Sequence, residues 1–152
     1  MKSFISILLC CLMVFGTCFS AGAYDTSANT DIQSAQTTVD EDADITYTDR
    51  LIIDETSRSS TRTATLERTF EKGDTVIAII AITAKFSYNG SSVSVLSKSV
   101  SRTSTYNGWS FTQNSLTSSG GSVTLSGKLT KFLNAKVPVD MTLSCDKNGN
   151  IT

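Results

Sequence analysis

The stretch Thr75-Val76-Ile77-Ala78-Ile79-Ile80-Ala81-Ile82-Thr83-Ala84-Lys85-Phe86-Ser87-Tyr88 decides the fold. Every second residue from Val76 through Ala78, Ile80, Ile82, Ala84 and Phe86 to Tyr88 is apolar or aromatic. A period of two is the strand period, because successive side chains of an extended backbone point to opposite faces. The opposite face carries Ile77, Ile79 and Ala81 before turning polar at Thr83, Lys85 and Ser87. Apolar residues on both faces of the first half predict a central strand, covered from both sides.

Working outward, Asn89-Gly90 predicts a hairpin, since a type I′ turn needs positive φ at both central residues. Val93 and Val95 share a parity that Leu96, Lys98 and Val100 do not, which predicts a β-bulge between Val95 and Leu96. Upstream, Glu71-Lys72-Gly73-Asp74 reads as a turn. Before it, Ala64, Leu66 and Phe70 alternate in phase with Arg62 and Arg68, and Ile45 to Ile53 reads as a first strand. Downstream, Asn107-Gly108 gives a second hairpin signal before Trp109 and Phe111, and Ser118-Ser119-Gly120-Gly121 gives the next turn. Val123, Leu125, Leu129 and Leu133 then alternate with polar residues. Val137, Val139, Met141, Leu143 and Cys145 share one face, and Asp146-Lys147-Asn148-Gly149-Asn150 turns the chain before Thr152. About seven strands with one apolar face each predict an all-β fold: an immunoglobulin-like antiparallel β-sandwich over residues 45–152, with a small β-barrel as the alternative. The Cys–Trp–Cys pattern of true immunoglobulin domains is missing.

The chain has 152 residues, enough for one such domain, and its ends differ in composition. Residues 1–23 read as a signal peptide: Lys2, an uncharged run from Phe4 to Phe19, and the small-x-small site Ala21-Gly22-Ala23. That run is shorter than the roughly 20 residues a spanning helix needs. Secretion with cleavage near Ala23, and no stable membrane span in the mature form, is the expectation. An uncleaved anchor, or a lipoprotein cut before Cys18, is the alternative. Cleavage removes three of the four cysteines and leaves Cys145, which cannot form an internal disulfide and lies in phase with core residues.

Charge divides what remains. Residues 24–55 hold nine acids and one base, Arg50; residues 56–152 hold five acids and eleven bases. Residues 24–44 are acidic, rich in Thr and Ser and poor in large apolar groups, and read as a disordered arm. Asp40-Glu41-Asp42-Ala43-Asp44 reads as a solvated spacer, since calcium needs six to eight oxygens at fixed geometry.

The chemistry is sparse. The sequence has no histidine, which excludes a serine triad, a Cys–His pair and an imidazole metal ligand, and leaves a zinc site only carboxylates beside one cysteine. Glu67 and Glu71 read as strand charges rather than a glycosidase pair. Asp146-x-Asn148-x-Asn150 imitates a calcium loop, but the chain given stops before a twelfth position, so it reads as a turn. No spacing marks out a Ser–Lys dyad. No cofactor, no metal and no catalytic activity are expected. A net charge of -1 argues against nucleic acid.

The candidate binding residues are Trp109, Tyr106 and Tyr88, aromatic groups flanking Asn-Gly turns, which combine apolar area with a polar handle. Against this, Trp109 also reads as a core residue that starts a strand. Tyr88-Asn89-Gly90-Ser91-Ser92 and Tyr106-Asn107-Gly108-Trp109-Ser110 echo each other, though two turn signals do not make a repeat. The expected role is a secreted, non-catalytic module binding a protein or a glycan. A secreted effector, antimicrobial or membrane-active through a Ser122–Leu133 hairpin, is the alternative, with an enzyme third.

Ala84-Lys85-Phe86-Ser87-Tyr88-Asn89-Gly90, Trp109 and the ending Thr142-Leu143-Ser144-Cys145-Asp146-Lys147-Asn148-Gly149-Asn150-Ile151 together resemble a group of small secreted β-rich proteins of Gram-positive, gut-type bacteria. The resemblance covers about Arg62 to Thr152 and implies secretion and a β fold. The group has no established activity, so it implies no site. Its members often carry a second cysteine near the return strand of the hairpin, where this chain has Val100.

Overall fold

The computed structural model describes residues 37–40, 44–54, 60–106, 108–131 and 136–152. Among them, β1 (Thr37–Asp40), β2 (Ile45–Asp54), β3 (Thr61–Lys72), β4 (Thr75–Tyr88) and β5 (Val93–Thr105) form a five-stranded sheet in that order. A second sheet holds β6 (Trp109–Ser119), β7 (Ser122–Lys131) and β8 (Lys136–Ser144). All pairings are antiparallel, and no helix occurs among the described residues. No described ladder joins β5 to β6 or β1 to β8, so the sheets pack face to face without closing into the barrel held as the alternative.

Each strand pairs with its neighbour in sequence. Both sheets are therefore meanders, without the Greek-key exchange that immunoglobulin domains use. The cause is local: Gly73-Asp74 and Gly120-Gly121 are two-residue turns, and turns that short can only join adjacent antiparallel strands. Gly73 and Gly120 each sit at φ +56, the left-handed value the first turn position requires.

β4 is an interior strand, as its apolar pattern requires, but lies between β3 and the edge strand β5 rather than at the centre of the sheet. Ala78, Ile80, Ile82, Ala84 and Phe86 are fully buried, and meet Val123, Leu125, Leu129, Val137, Val139, Met141 and Leu143 from the second sheet. Burying an Ile, Leu or Phe side chain contributes about 1.5–3 kcal/mol each, so this interlayer is the main source of stability. Cys145 ends the same face as a free, buried thiol. Burial first, and the Asp146 carboxylate second, push its pKa up against an opposing effect of Arg62.

Three local expectations change. Val76 is 38% exposed, not inward, because the ladder slips where Phe70 faces Ala78 and Glu71 faces Val76, and Ile77 takes the buried place. Asn89-Gly90 does join β4 to β5, but through a four-residue loop. Gly90 has φ +83, Asn89 has no positive φ, and the Asn89 side-chain carbonyl accepts from the Ser91 and Ser92 amides and the Ser92 hydroxyl. Such an Asx cap replaces the type I′ geometry. The chain crosses between the sheets from β5 to β6 rather than forming a hairpin there, with Gly108 just before β6 and Asn107 outside the described residues. The bulge at Leu96 is present: Phe86 pairs with Val95 and Lys85 with Ser97, leaving Leu96 unpaired and 55% exposed.

β1 falls within the 24–44 stretch whose composition predicts an arm. Its backbone pairs Thr37 with Tyr47 and Thr38 with Thr46, a ladder that requires no apolar side chain. The rest of that stretch before Thr37, the 1–23 segment and Leu133 lie outside the described residues.

The arginines in phase with the core strands tie the layers together. Arg68 of β3 forms a two-pronged ion pair with Asp49 of β2, with both N–O distances 2.6 Å. It also lies 3.8 Å from the Tyr47 ring centroid and donates to the Asp140 carbonyl of β8 at 3.0 Å. A planar guanidinium suits this combination of fork and stacking. A residue of one sheet thus satisfies a carbonyl on the edge strand of the other.

Candidate binding site

The two ends of the sandwich carry the three aromatic candidates, and they treat them differently. Tyr88 ends β4 beside the C-terminal turn. Gly149 has φ +89, and a Cβ there would lie 2.5 Å from the Tyr88 ring, so the ring rests directly on glycine backbone. Arg62 donates to the Gly149 carbonyl at 2.6 Å and stands 6.0 Å from the Tyr88 ring centroid. Gly90 donates to the Lys147 carbonyl, and Cys145 bridges Ile151. The Asp146 carboxylate accepts from the Asn148 and Asn150 amides and from the Asn150 side chain. The Asn150 side-chain bond, first among these, holds the Asp146 pKa below its ordinary value. Tyr88 is half-buried in this seal.

At the opposite end Tyr106 and Trp109 come together. Tyr106 donates its amide to the Ile77 carbonyl at 2.8 Å, and Trp109 donates its amide to the Tyr106 carbonyl at 3.0 Å. These bonds fix the crossover from β5 to β6 against the start of β4. The slip in the β3–β4 ladder turns Ile77 towards the same place, the usual effect of a bulge on side-chain direction. A cavity of about 140 Å³ results, lined by Lys72, Thr75, Ile77, Tyr106, Trp109 and Lys131. Trp109 is only 6% exposed and belongs to the core cluster, while Tyr106 is 55% exposed. The indole is thus core on one side and cavity wall on the other, which joins the two competing readings of this residue.

The register explains both lysines. Lys131 lies directly opposite Trp109 in the β6–β7 ladder, and its stem passes 3.9 Å from where a Cβ on Gly108 would stand. Lys72 ends β3 opposite Thr75, the first residue of β4. Both lysines are exposed, and no carboxylate is among the side chains lining this cavity. Glu71 and Asp74 stand one and two positions from Lys72 in sequence.

Sequence reasoning found Tyr106 and Trp109 but missed Lys72, Thr75, Ile77 and Lys131. Lys72 is legible only as part of a turn, and Lys131 lies unremarked within the alternation from Val123 to Leu133. The strand register that sets Lys131 against Trp109 was the missing signal. Among the described residues no group of three or more cysteines and carboxylates is placed to hold a metal. No family model, curated protein or solved structure matches this chain.

Proposed function

We propose that the chain is a secreted, non-catalytic β-sandwich module, immunoglobulin-like in the broad sense of two packed sheets, that binds an extracellular partner at the Tyr106–Trp109 end. The observation that carries this reading is the cavity itself, lined by the buried Trp109, the exposed Tyr106 and the two lysines Lys72 and Lys131 at one end of the core. Clefts with apolar walls and a few convergent polar groups are the default binding sites of folded domains. The export features of residues 1–23 support secretion, and the absence of histidine from the sequence supports a non-catalytic role. The effector reading needs the Ser122–Leu133 hairpin to insert, yet Val123, Leu125 and Leu129 are fully buried in the interlayer.

The test is fractionation of the producing cells followed by protein and glycan arrays with the exported chain and its Tyr106→Ala variant. Recovery outside the cell with binding lost in the variant is expected. Retention in the cell, binding indifferent to Tyr106, or dye release from anionic liposomes would overturn the proposal.

A further inference from the structure

We infer that the cavity between Lys72, Tyr106, Trp109 and Lys131 takes one acidic sugar residue of an extracellular glycan. This inference rests on the binding-module reading and names its ligand class. Four features of the cavity select that class. Its volume of about 140 Å³ suits a single six-membered ring, not a chain of several. Ile77 and Trp109 close its base at 2% and 6% exposed, and the Tyr106 ring, 55% exposed, is the apolar surface that the body of a ligand would cover. The C–H face of a pyranose covers such a ring, in a neutral or an anionic carbohydrate alike. Two lysines, Lys72 and Lys131, line the cavity and no carboxylate does, which then selects the anionic sugar. Lysine is a compact point charge with rotatable donors, suited to a carboxylate presented from a ring at more than one angle.

The remaining polar groups fit the same occupant. Thr75 and Tyr106 also line the cavity and carry hydroxyls, and a sugar has hydroxyls to pair with both. An aspartate or glutamate side chain of a peptide would satisfy the lysines but leave the Tyr106 ring uncovered. Tyr106, 55% exposed, stands as a wall that the next residue of a longer glycan passes. At the opposite end of the sandwich Gly149 and Arg62 occupy the space beneath and beside the Tyr88 ring.

Trp109 is the sole tryptophan, so its fluorescence reports the floor of this cavity alone. The experiment titrates the purified chain with methyl glucuronide, methyl glucoside and a tetraglutamate peptide at low salt, following Trp109 emission. The expected result is a saturable change with the glucuronide and at least about tenfold weaker response to the glucoside. Lys72→Gln and Lys131→Gln should each weaken the glucuronide response by about three- to tenfold while leaving the melting curve in place. Added salt should weaken the glucuronide and not the glucoside. Equal responses to the two sugars would overturn the anionic preference and leave a binding cavity standing. A response to tetraglutamate alone would overturn the sugar and likewise leave the cavity standing. No response to any of the three would overturn this inference. If array binding were also independent of Tyr106, the binding-module reading would fall with it.

Discussion

The two ends of the sandwich begin from nearly the same words, Tyr88-Asn89-Gly90-Ser91-Ser92 and Tyr106-Asn107-Gly108-Trp109-Ser110. They finish as opposites. At the first, the chain turns back within one sheet, and the C-terminal turn rises to pack Gly149 against the tyrosine ring. At the second, the chain leaves one sheet for the other, and nothing among the described residues fills the space between Tyr106 and Lys131. A local turn signal therefore specifies that the chain bends, while residues far away in sequence decide whether the bend is sealed or left open.

The largest effect should come from the core that supports both ends. Phe86→Ala leaves a cavity beneath the sealed end and should cost about 3–5 kcal/mol of unfolding free energy, measured by denaturant titration. A midpoint unchanged from wild type would remove Phe86 from the interlayer.

The glycines sharpen the contrast next. Gly149→Ala faces both a left-handed φ of +89 and a Cβ 2.5 Å from the Tyr88 ring, whereas Gly108→Ala, at φ +84, meets only the Lys131 stem at 3.9 Å. Backbone strain alone costs about 1–2 kcal/mol in each. Gly149→Ala should therefore lower stability measurably more than Gly108→Ala, and equal losses would deny the ring packing at the sealed end.

The tyrosines give a smaller difference. Tyr88→Ala removes a half-buried ring that Gly149 and Arg62 enclose and should destabilise the fold by about 1–3 kcal/mol, whereas the exposed Tyr106→Ala should stay within about 0.5 kcal/mol of wild type. Thermal melts of both variants check the pair. The reverse order would exchange the roles assigned to the two ends.

The smallest effect concerns acid. Asp146 has a folded pKa below its ordinary value, chiefly through the Asn150 side chain. A lowered folded pKa contributes stability that is present above the unfolded pKa and is lost as pH falls through the folded one. The Asn148 and Asn150 amide resonances should therefore shift at a pH below that of ordinary aspartate titration, and the shift should vanish in Asp146→Asn. Because Asp146 is exposed, the melting temperature should move little.

Much of this molecule is legible in the sequence. The period-two runs at Val76–Tyr88 and Val137–Cys145 are long and strict, so they identify strands and, for Val137–Cys145, the buried face residue by residue. The Leu96 bulge is visible as a parity change. The bulge at Ile77 is not, because apolar residues stand on both sides of it and hide the slip. The sheet crossover between β5 and β6 is hidden for a related reason: turn residues encode bending, and which sheet receives the next strand depends on packing. The aromatic half of the candidate site is readable because Tyr and Trp are rare in this chain. The cationic half is not, because Lys72 and Lys131 are 59 positions apart and only the register unites them.

The central claim is that Trp109 forms the wall of an open, cationic cavity while Gly149 and Arg62 pack around Tyr88 at the other end. Parallel quenching of the single tryptophan by iodide and by caesium tests it most directly, with free tryptophan amide as reference for both ions. Lys72 and Lys131 should concentrate iodide and repel caesium, so iodide should quench the more strongly relative to the reference. Added salt should narrow the gap, and Lys72→Gln with Lys131→Gln should close it. Equal quenching by the two ions, or stronger quenching by caesium, would contradict the account.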